Sequence, residues 1–252
     1  NTTMDKDFIN IVKPMLPKVD YCSMRFVNKY SNIINATRNV LEPVVISEDE
    51  GVMITVFHNG GSGYGATSNL TKQGIQQAIN SAVDWAEFSK GKLTYFPNLS
   101  EMKTQSGNYF TNEEKQWSQI SIKDKADFLM EINRALRSKS KITNWGAGIR
   151  YNSIETLFLD TNESNIHQKI SYLLPQMIVA AEYKKETQTR TFGGHAHARQ
   201  IGYDIFDNIN MVEKAKELSE EAVELSQSPN CENKITQAVI APDQMILQIH
   251  ES

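Results

Sequence analysis

The chain has 252 residues, with 26 Lys and Arg against 30 Asp and Glu and a formal net charge of -4. Its composition, 40% hydrophobic and 22% charged, excludes a disordered chain, and the acidic balance argues against a general nucleic-acid binder. Cys22 and Cys231 form no C-x-x-C pair, so neither a disulfide scaffold nor a zinc ribbon is predicted, and both thiols are expected to be free.

Nothing in the sequence directs the chain to a membrane. No run approaches the ~20 apolar residues that a membrane-spanning helix needs. Residues 1–5 lack the basic and apolar regions of a signal peptide. Together with the free thiols, these features favour the cytoplasm, although residue 1 is Asn and a leader removed before it stays open.

The first half of the chain combines helical and strand-like patterns. Apolar residues at helical spacing predict one helix over residues 5–17 and another from Thr71 to about Lys90. Alternating or β-rich composition predicts strands over residues 19–28, 31–37 and 51–58, the last turning through Asn59-Gly60-Gly61 into residues 62–67. This half therefore resembles an antiparallel sheet with helices on one face.

Residues 90–119 show no hydrophobic periodicity and are predicted to be a linker to the second half of the chain. Ser121 is placed to cap a helix that reaches Leu136. The remaining patterns predict strands over 141–151, 153–161 and 165–184, with Pro175 at an edge or bulge of the last one. A helix over 203–226 and a strand-like run over 237–241 follow. The last predicted helix begins at Pro242, and its residues Met245, Ile246 and Ile249 are spaced for burial.

These elements predict an α+β fold of mostly antiparallel sheets with amphipathic helices packed on one face, in two subdomains. The predicted boundaries are an N-terminal subdomain over residues 1–95, a linker over 96–119, a second subdomain over 120–235 and the start of a truncated catalytic domain over 236–252. The expectation of truncation rests on the apolar stripe of the last helix, which continues to the final residues.

The pair His250-Glu251 is a candidate metal site. Metallopeptidases present a histidine ligand followed by a glutamate that activates metal-bound water, and a second histidine about one turn later completes the H-E-x-x-H motif. That second histidine would fall after Ser252. Two residues of a motif occur often by chance, so the pair alone is weak support for a metal site.

Other candidate motifs have simpler explanations. His195 and His197, two residues apart, could share a metal, but a surface loop with Gly193 and Gly194 in a turn is favoured. The glycines of residues 59–65 fit a hairpin better than a phosphate loop, because the Gly-Lys-Ser/Thr ending is missing. No G-x-S-x-G elbow is present, and the other aromatic and histidine positions are predicted to be ordinary sheet or core residues: His58, His167, Trp85, Trp117 and Trp145.

Several stretches, taken in order, resemble the TldD/PmbA metallopeptidases, long labelled modulators of DNA gyrase. The hairpin block Glu50–Thr71 is similar to the family's glycine-containing hairpin and helix start, and Val239-Ile-Ala-Pro242 leading to His250-Glu251 is similar to its approach to the metal helix. Weaker similarity lies in Val19-Asp-Tyr-Cys-Ser-Met-Arg25, Asp124-Lys125 and Arg150-Tyr-Asn-Ser153. Thr55, where many members have arginine, departs from the pattern.

The resemblance implies a metal-dependent peptidase, with zinc as the cofactor, that acts on unfolded or modified peptides inside an enclosed chamber. It also implies a homodimer, or a heterodimer with a related subunit. His250 is then the first metal ligand and Glu251 the catalytic general base, while a second histidine, three positions past Ser252, and a distant cysteine would complete the site. Histidines five apart lie about 140° around a helix, and the sequence does not explain how both reach one ion.

Two hypotheses follow from the sequence. In the first, the chain is the N-terminal portion of such a peptidase, shapes the substrate chamber and subunit interface, and is inactive by itself. In the second, it is a non-catalytic partner or regulatory binding subunit in which His250-Glu251 is incidental.

Overall fold

The computed structural model describes residues 4–252, apart from the side chain of Asp243. It is an α+β structure, as predicted. In chain order the elements are α1 (Lys6–Val12), β1 (Tyr21–Thr37), β2 (Val40–Leu41), β3 (Val45–His58), β4 (Gly61–Thr67), α2 (Lys72–Ser89), β5 (Ser106–Phe110), α3 (Ile122–Leu136), β6 (Ile142–Asp160), β7 (Asn165–Tyr183), β8 (Glu186–Gly193), α4 (Ile205–Asn208), α5 (Met211–Gln227) and α6 (Pro242–Glu251).

All eight strands belong to one sheet. The main order is β4-β3-β1-β6-β7-β5, with β2 beside β1 and β8 beside β7. Among the strand pairings of residues 4–252, only that of β5 with β7 is parallel. The predicted pairs of shorter strands at residues 19–37 and 141–161 are each one continuous strand, and β1 and β6 pair without a break from Ser23–Asp160 to Thr37–Gly146.

The helices cover one face of this sheet. Met24 and Phe26 of β1 belong to a core cluster with α1 and α2, while Ile34 and Ala36 belong to a second cluster with α3 and α5. Even-numbered residues of one regular strand point to the same side. Both helical layers therefore lie on the same face, which we call the inner face.

The glycines of β4 bring α2 close to the sheet. A Cβ atom at Gly63 would lie 1.7 Å from the carbonyl oxygen of Ala82, and Gly61 and Gly65 meet the α2 backbone in the same way. The hairpin prediction is confirmed, but positive φ explains only the turn itself, at Asn59 and Gly60. The other glycines serve a close helix–sheet contact.

The helix starts agree with the predicted capping. Thr71 precedes α2, and its hydroxyl accepts a hydrogen bond from the backbone N–H of Gly74. Ser121 caps α3 by accepting from the N–H of Asp124, while its own hydroxyl donates to the Asp124 carboxylate. Each cap satisfies a helix N–H that would otherwise lack a partner.

The structure corrects four predictions. The supposed linker contains β5, and the helix predicted over 203–226 is broken between α4 and α5 at Ile209-Asn210. Residues 237–241 form no strand. Trp85 is 55% exposed and is not a core residue, whereas Trp117 is buried as predicted.

The position of Pro175 is confirmed as an edge. On the side of β7 away from β6, β5 pairs up to Lys169, Arg199 bridges to Leu173, and β8 begins at Gln176. Pro175, which has no N–H to donate, lies in the gap between this bridge and β8. Among the helices of the described residues, none combines the length and apolarity required to cross a membrane.

Candidate functional site

Helix α6 carries the predicted site residues His250 and Glu251. It begins at Pro242, whose fixed φ suits the first turn of a helix, and both site residues lie in its last turn. Both side chains are exposed. The helix is therefore confirmed, and it presents the His-Glu pair on the surface.

The burial predicted for the apolar stripe of α6 is not observed. Ile246 and Ile249 are 61% and 69% exposed, and Met245 is half-buried. The preceding residues 228–241 form neither helix nor strand and are exposed throughout. Helix α6 is therefore amphipathic in sequence, but its apolar side chains contact little of the rest of the described chain.

The described residues do not by themselves assemble a zinc site around α6. No group of three or more His, Cys, Asp or Glu side chains in residues 4–252 is arranged to hold a metal ion. Catalytic zinc sites use three protein ligands, and the last turn of α6 offers one imidazole and one carboxylate. Cys231, upstream of the helix, is exposed and free, and we do not assign it as a ligand.

The Gly193-Gly194-His195-Ala196-His197 segment is a turn, as favoured from the sequence. Gly193 and Gly194 have φ of +99° and +69°, and a 3-10 helix covers Gly194–His197. His197 packs on Phe192, with 4.3 Å between the ring centroids. A shared metal site was considered for two histidines on one face of a strand. His195 and His197 lie in a 3-10 helix instead.

His58 and His167 lie in strands, as predicted, but each has carboxylate partners that the sequence did not indicate. His58 lies 3.6 Å from both Asp20 and Glu87. The Nε2 atom of His167 lies 2.7 Å from Glu155. The contacts of His58 join distant parts of the chain, and that of His167 joins the neighbouring strands β6 and β7.

The inner face also contains a polar cleft that sequence analysis missed. It lies between the two core clusters and has a volume of about 740 Å³. We call it the central cleft and define it by the following lining residues: Asn28, Tyr30, Asn32, Ile46, Glu48, Trp117, Ser118, Ile120, Ser121, Ile122, Lys125, Tyr151, Ser153, Glu155 and Lys169.

A sequence signal for the central cleft exists. On the inner face of β1, Asn28 and Asn32 interrupt an otherwise apolar series, and Ser153 and Glu155 interrupt the inner series of β6. Asn28 pairs with Glu155 across the two strands. Polar residues at buried positions, in register across neighbouring strands, indicate a cleft rather than a continuous core.

Lys125 is the most unusual residue of the central cleft. It is 4% exposed, and its ammonium donates to the carbonyl oxygen of Trp117 at 2.7 Å and lies 3.8 Å from the centre of that indole ring. No carboxylate of the described residues lies within ion-pair distance of it. Burial consequently lowers the pKa of Lys125 to about 8.

Two family models match the sequence. The PmbA/TldA metallopeptidase domain 1 matches residues 22–86, and the PmbA/TldA metallopeptidase central domain matches residues 115–226, which together are more than half of the chain. A comparison with curated proteins finds no match.

Solved structures share the fold at low identity. A protein described as a modulator of DNA gyrase from Thermotoga maritima is 14% identical, with a TM-score of 0.66, over 90% of this chain and 48% of that one. A second such protein, from Bacteroides thetaiotaomicron, is 11% identical, with a TM-score of 0.63, over 88% and 48%. TldE from Thermococcus kodakarensis is 11% identical, with a TM-score of 0.56, over 86% and 46%.

At these identities the structural likeness shows the fold alone, and this chain spans about half the length of each of the three proteins. The family models are independent of that likeness and cover both the β1–α2 region and the α3–α5 region. By these two matches, the chain belongs to the PmbA/TldA (TldD/PmbA) metallopeptidase family.

Proposed function

We propose that this chain is the N-terminal portion of a zinc-dependent peptidase that acts on unfolded or modified peptides in the cytoplasm. The observation that carries the proposal is the match of both family domains, followed in the chain by a helix that ends in His250-Glu251. In this proposal His250 is one metal ligand and Glu251 is the general base. Zinc, when bound in such enzymes, activates water for attack on a peptide carbonyl.

The exposure of α6 supports a role that depends on residues outside this chain. An amphipathic helix normally buries its apolar stripe, and Ile246 and Ile249 are left exposed here. We therefore infer that α6 packs against further parts of a longer protein, which would also supply the missing ligands. The 252-residue chain alone is expected to be inactive.

The helix-free face of the sheet supports a role in the chamber and the subunit interface. Met53 and Ile178 on this face are more than 40% exposed. The two side chains lie at opposite ends of the sheet, and each lines a depression in this face, Met53 beside Arg25 and Val27 and Ile178 beside Asn35 and Gly148. Concave surfaces with apolar side chains are common binding sites. We propose that this face contributes to a substrate chamber and to a homodimer, or to a heterodimer with a related subunit.

A second candidate function is a non-catalytic partner or regulatory binding subunit of such an assembly. It is favoured by the observation that His250 and Glu251 are exposed and have no further metal-ligating groups gathered around them in residues 4–252. Under this alternative the His-Glu pair has no role in hydrolysis.

A peptidase assay on the full-length protein separates the two functions. An unfolded protein substrate is incubated with wild type, Glu251→Gln and His250→Ala, with and without a zinc chelator. If the peptidase proposal is correct, loss of the general base lowers kcat by about 10²–10⁴-fold. Glu232→Gln, an exposed glutamate outside the helix, is the matched control and is expected to retain activity.

Two results would contradict the proposal. Wild-type activity that survives both substitutions, or no activity in any assembly of the full-length protein, would favour the regulatory alternative. Zinc-dependent hydrolysis by the 252-residue chain alone, lost on Glu251→Gln, would instead contradict the inference that this portion is inactive.

A further inference from the structure

The central cleft has the size of a small-ligand site. Its volume of about 740 Å³ falls within the range of pockets that hold small molecules. Its floor is the inner face of β1 and β6, and the first turn of α3 forms part of its wall through Ser121 and Lys125. The cleft therefore lies between three elements of fixed geometry.

One end of the cleft carries an uncompensated cation. The Lys125 ammonium has three N–H bonds, and the carbonyl oxygen of Trp117 is its one hydrogen-bond acceptor among the described residues. The N-terminus of α3 adds its partial positive charge nearby. Asp124 offsets part of this charge, but its carboxylate accepts a hydrogen bond from Ser121 and is exposed.

A buried ammonium without a counter-ion is expensive, because burial removes its hydration and no protein charge replaces it. The same burial is the cause of the lowered pKa of Lys125. A ligand carboxylate at this position would supply both the missing charge and hydrogen-bond acceptors for the two remaining N–H bonds.

The other end of the cleft carries acidic groups. Glu155 lies on the same face of β6 as Tyr151, four positions along the strand, and Glu48 lines the cleft from β3. Lys169, which lines the cleft opposite Glu155 on β7, offsets part of this negative charge, and the Nε2 atom of His167 lies 2.7 Å from Glu155. The cleft is thus positive at the Lys125 end and acidic at the Glu155 end.

We propose that the central cleft binds a short peptide with free ends, its C-terminal carboxylate at Lys125 and its N-terminal ammonium toward Glu155 and Glu48. Lys125 lies over Trp117, Trp117 stacks on Tyr151, and Tyr151 and Glu155 are four strand positions apart, about 13 Å at ~3.3 Å per residue. An extended peptide spans at most ~3.3–3.6 Å per residue, so three to four residues fit this distance. The acidic end disfavours phosphate and other dianions.

This inference goes beyond the proposed function and does not depend on it. The ligand would bind to residues of the two family domains, whether or not His250 and Glu251 are catalytic. A free short peptide is the chemical class that proteolysis releases, so binding here would let the protein sense or retain such products.

Binding of trialanine to the chain tests the proposal directly. Affinities are measured by calorimetry or NMR titration for trialanine, trialanine amide, N-acetyl-trialanine and inorganic phosphate. The protein carries Glu251→Gln so that hydrolysis cannot consume the probe, and the readout is binding rather than activity. We expect trialanine to bind, and either blocked end to weaken binding roughly tenfold or more.

Lys125→Met keeps much of the aliphatic stem and removes the charge. We expect Lys125→Met to bind trialanine only as tightly as wild type binds trialanine amide. Its affinity for trialanine amide should equal that of wild type. Lys123→Met, on the exposed side of the same helix in an ion pair with Asp127, is the matched control and should bind as wild type.

Three outcomes would overturn the proposal. The first is equal binding of free and amidated trialanine by the wild-type cleft, a comparison that needs no variant to fold. The second is no detectable trialanine binding at millimolar concentration. The third is Lys125-dependent binding of phosphate that is tighter than that of trialanine, which would identify an anion site of another class.

Discussion

The indole ring of Trp117 lies flat against the phenol ring of Tyr151, with 5.3 Å between the ring centroids and 3° between the ring planes. The indole N–H donates to the side-chain oxygen of Asn32 at 3.0 Å, and the Tyr151 hydroxyl donates to Glu113 at 2.9 Å. Burial is the main reason that the pKa of Tyr151 rises to about 12. Trp117 thus fixes the segment before α3 onto β1 and β6.

Replacing Trp117 with alanine is expected to destabilise the protein by about 3–5 kcal/mol, because it empties a buried site and leaves Asn32 without its donor. The free energy of unfolding in urea measures the effect. Trp85→Ala is the control, since Trp85 is largely exposed, and should change stability by less than about 1 kcal/mol. Equal effects of the two substitutions would contradict the assigned role of Trp117.

Gly63→Ala tests the contact between β4 and α2. The added methyl group would lie 1.7 Å from the backbone oxygen of Ala82, so helix and strand must separate. We expect a loss of about 3 kcal/mol or more in unfolding free energy.

Gly107→Ala is the matched control for that substitution. Gly107 also lies in a strand, β5, but a Cβ atom there would have no neighbour within 4 Å. Its effect on stability should stay within about 0.5 kcal/mol. If Gly63→Ala changes the unfolding free energy as little as Gly107→Ala does, the close contact between β4 and α2 does not exist in the protein.

The two cysteines should differ sharply in reactivity. Cys22 is buried, and burial, followed by the charge of Asp160, raises the pKa of its thiol to about 12. At mildly alkaline pH this lowers its thiolate fraction about a thousandfold relative to an ordinary cysteine. A thiol-reactive dye should therefore label only Cys231 rapidly in the native protein.

Single substitutions check this assignment. Cys231→Ser should remove the fast labelling phase, and Cys22→Ser should leave it unchanged. Labelling of Cys22 should appear on unfolding in urea. Two fast thiols in the native wild-type protein would show that Cys22 is accessible.

Lys125 should make stability depend on pH. Its pKa is about 8 in the folded chain against an ordinary value of 10.5, so the unfolded chain binds more protons between these values. Stability attributable to this residue is lowest below pH 8 and rises toward pH 10.5. Relative to Lys125→Met, wild type should gain about 2 kcal/mol between pH 8 and pH 10.

Urea unfolding at several pH values measures this difference, and the comparison between variants cancels the titration of tyrosines and cysteines elsewhere. Lys123→Met, measured against wild type in the same way, should show little change across this interval. A pH-independent difference for Lys125→Met would mean that the ammonium is hydrated rather than buried.

Much of the fold could be predicted from periodicity and capping residues. Thr71 and Ser121 mark the starts of α2 and α3, because a hydroxyl before an amphipathic run satisfies free helix N–H groups. The alternation from residue 19 onward predicts a half-buried strand. The unbroken length of β1 was not predicted, because Asn28 and Asn32 interrupt its apolar face.

The missed features depend on tertiary contacts. Strand β5 consists of polar and aromatic residues that are all exposed, so it shows no buried face and depends on its pairing with β7. Residues 237–241 are the opposite case, because they have the composition of a strand but pair with no strand of the described residues. Strand formation needs a partner as well as propensity.

The candidate site was predictable only in part. His250 and Glu251 were found as a motif, and their helix was predicted from Pro242 and the apolar spacing. The central cleft was missed because Lys125 is a charged residue on a polar-looking helix, where exposure is the usual expectation. Its burial depends on tertiary contacts such as that with the ring of Trp117, which lies 3.8 Å from its ammonium.

The shared sheet has a consequence for how the chain can be divided. Strand β1 hydrogen-bonds to β3 on one side and to β6 on the other, and Leu157 and Leu159 of β6 complete the core beneath α2. A fragment that ended at residue 95 would lose these two leucines from the core and expose one edge of β1 for most of its length. We expect the two halves to melt in a single cooperative transition, and severed pieces to recover native structure only when refolded together.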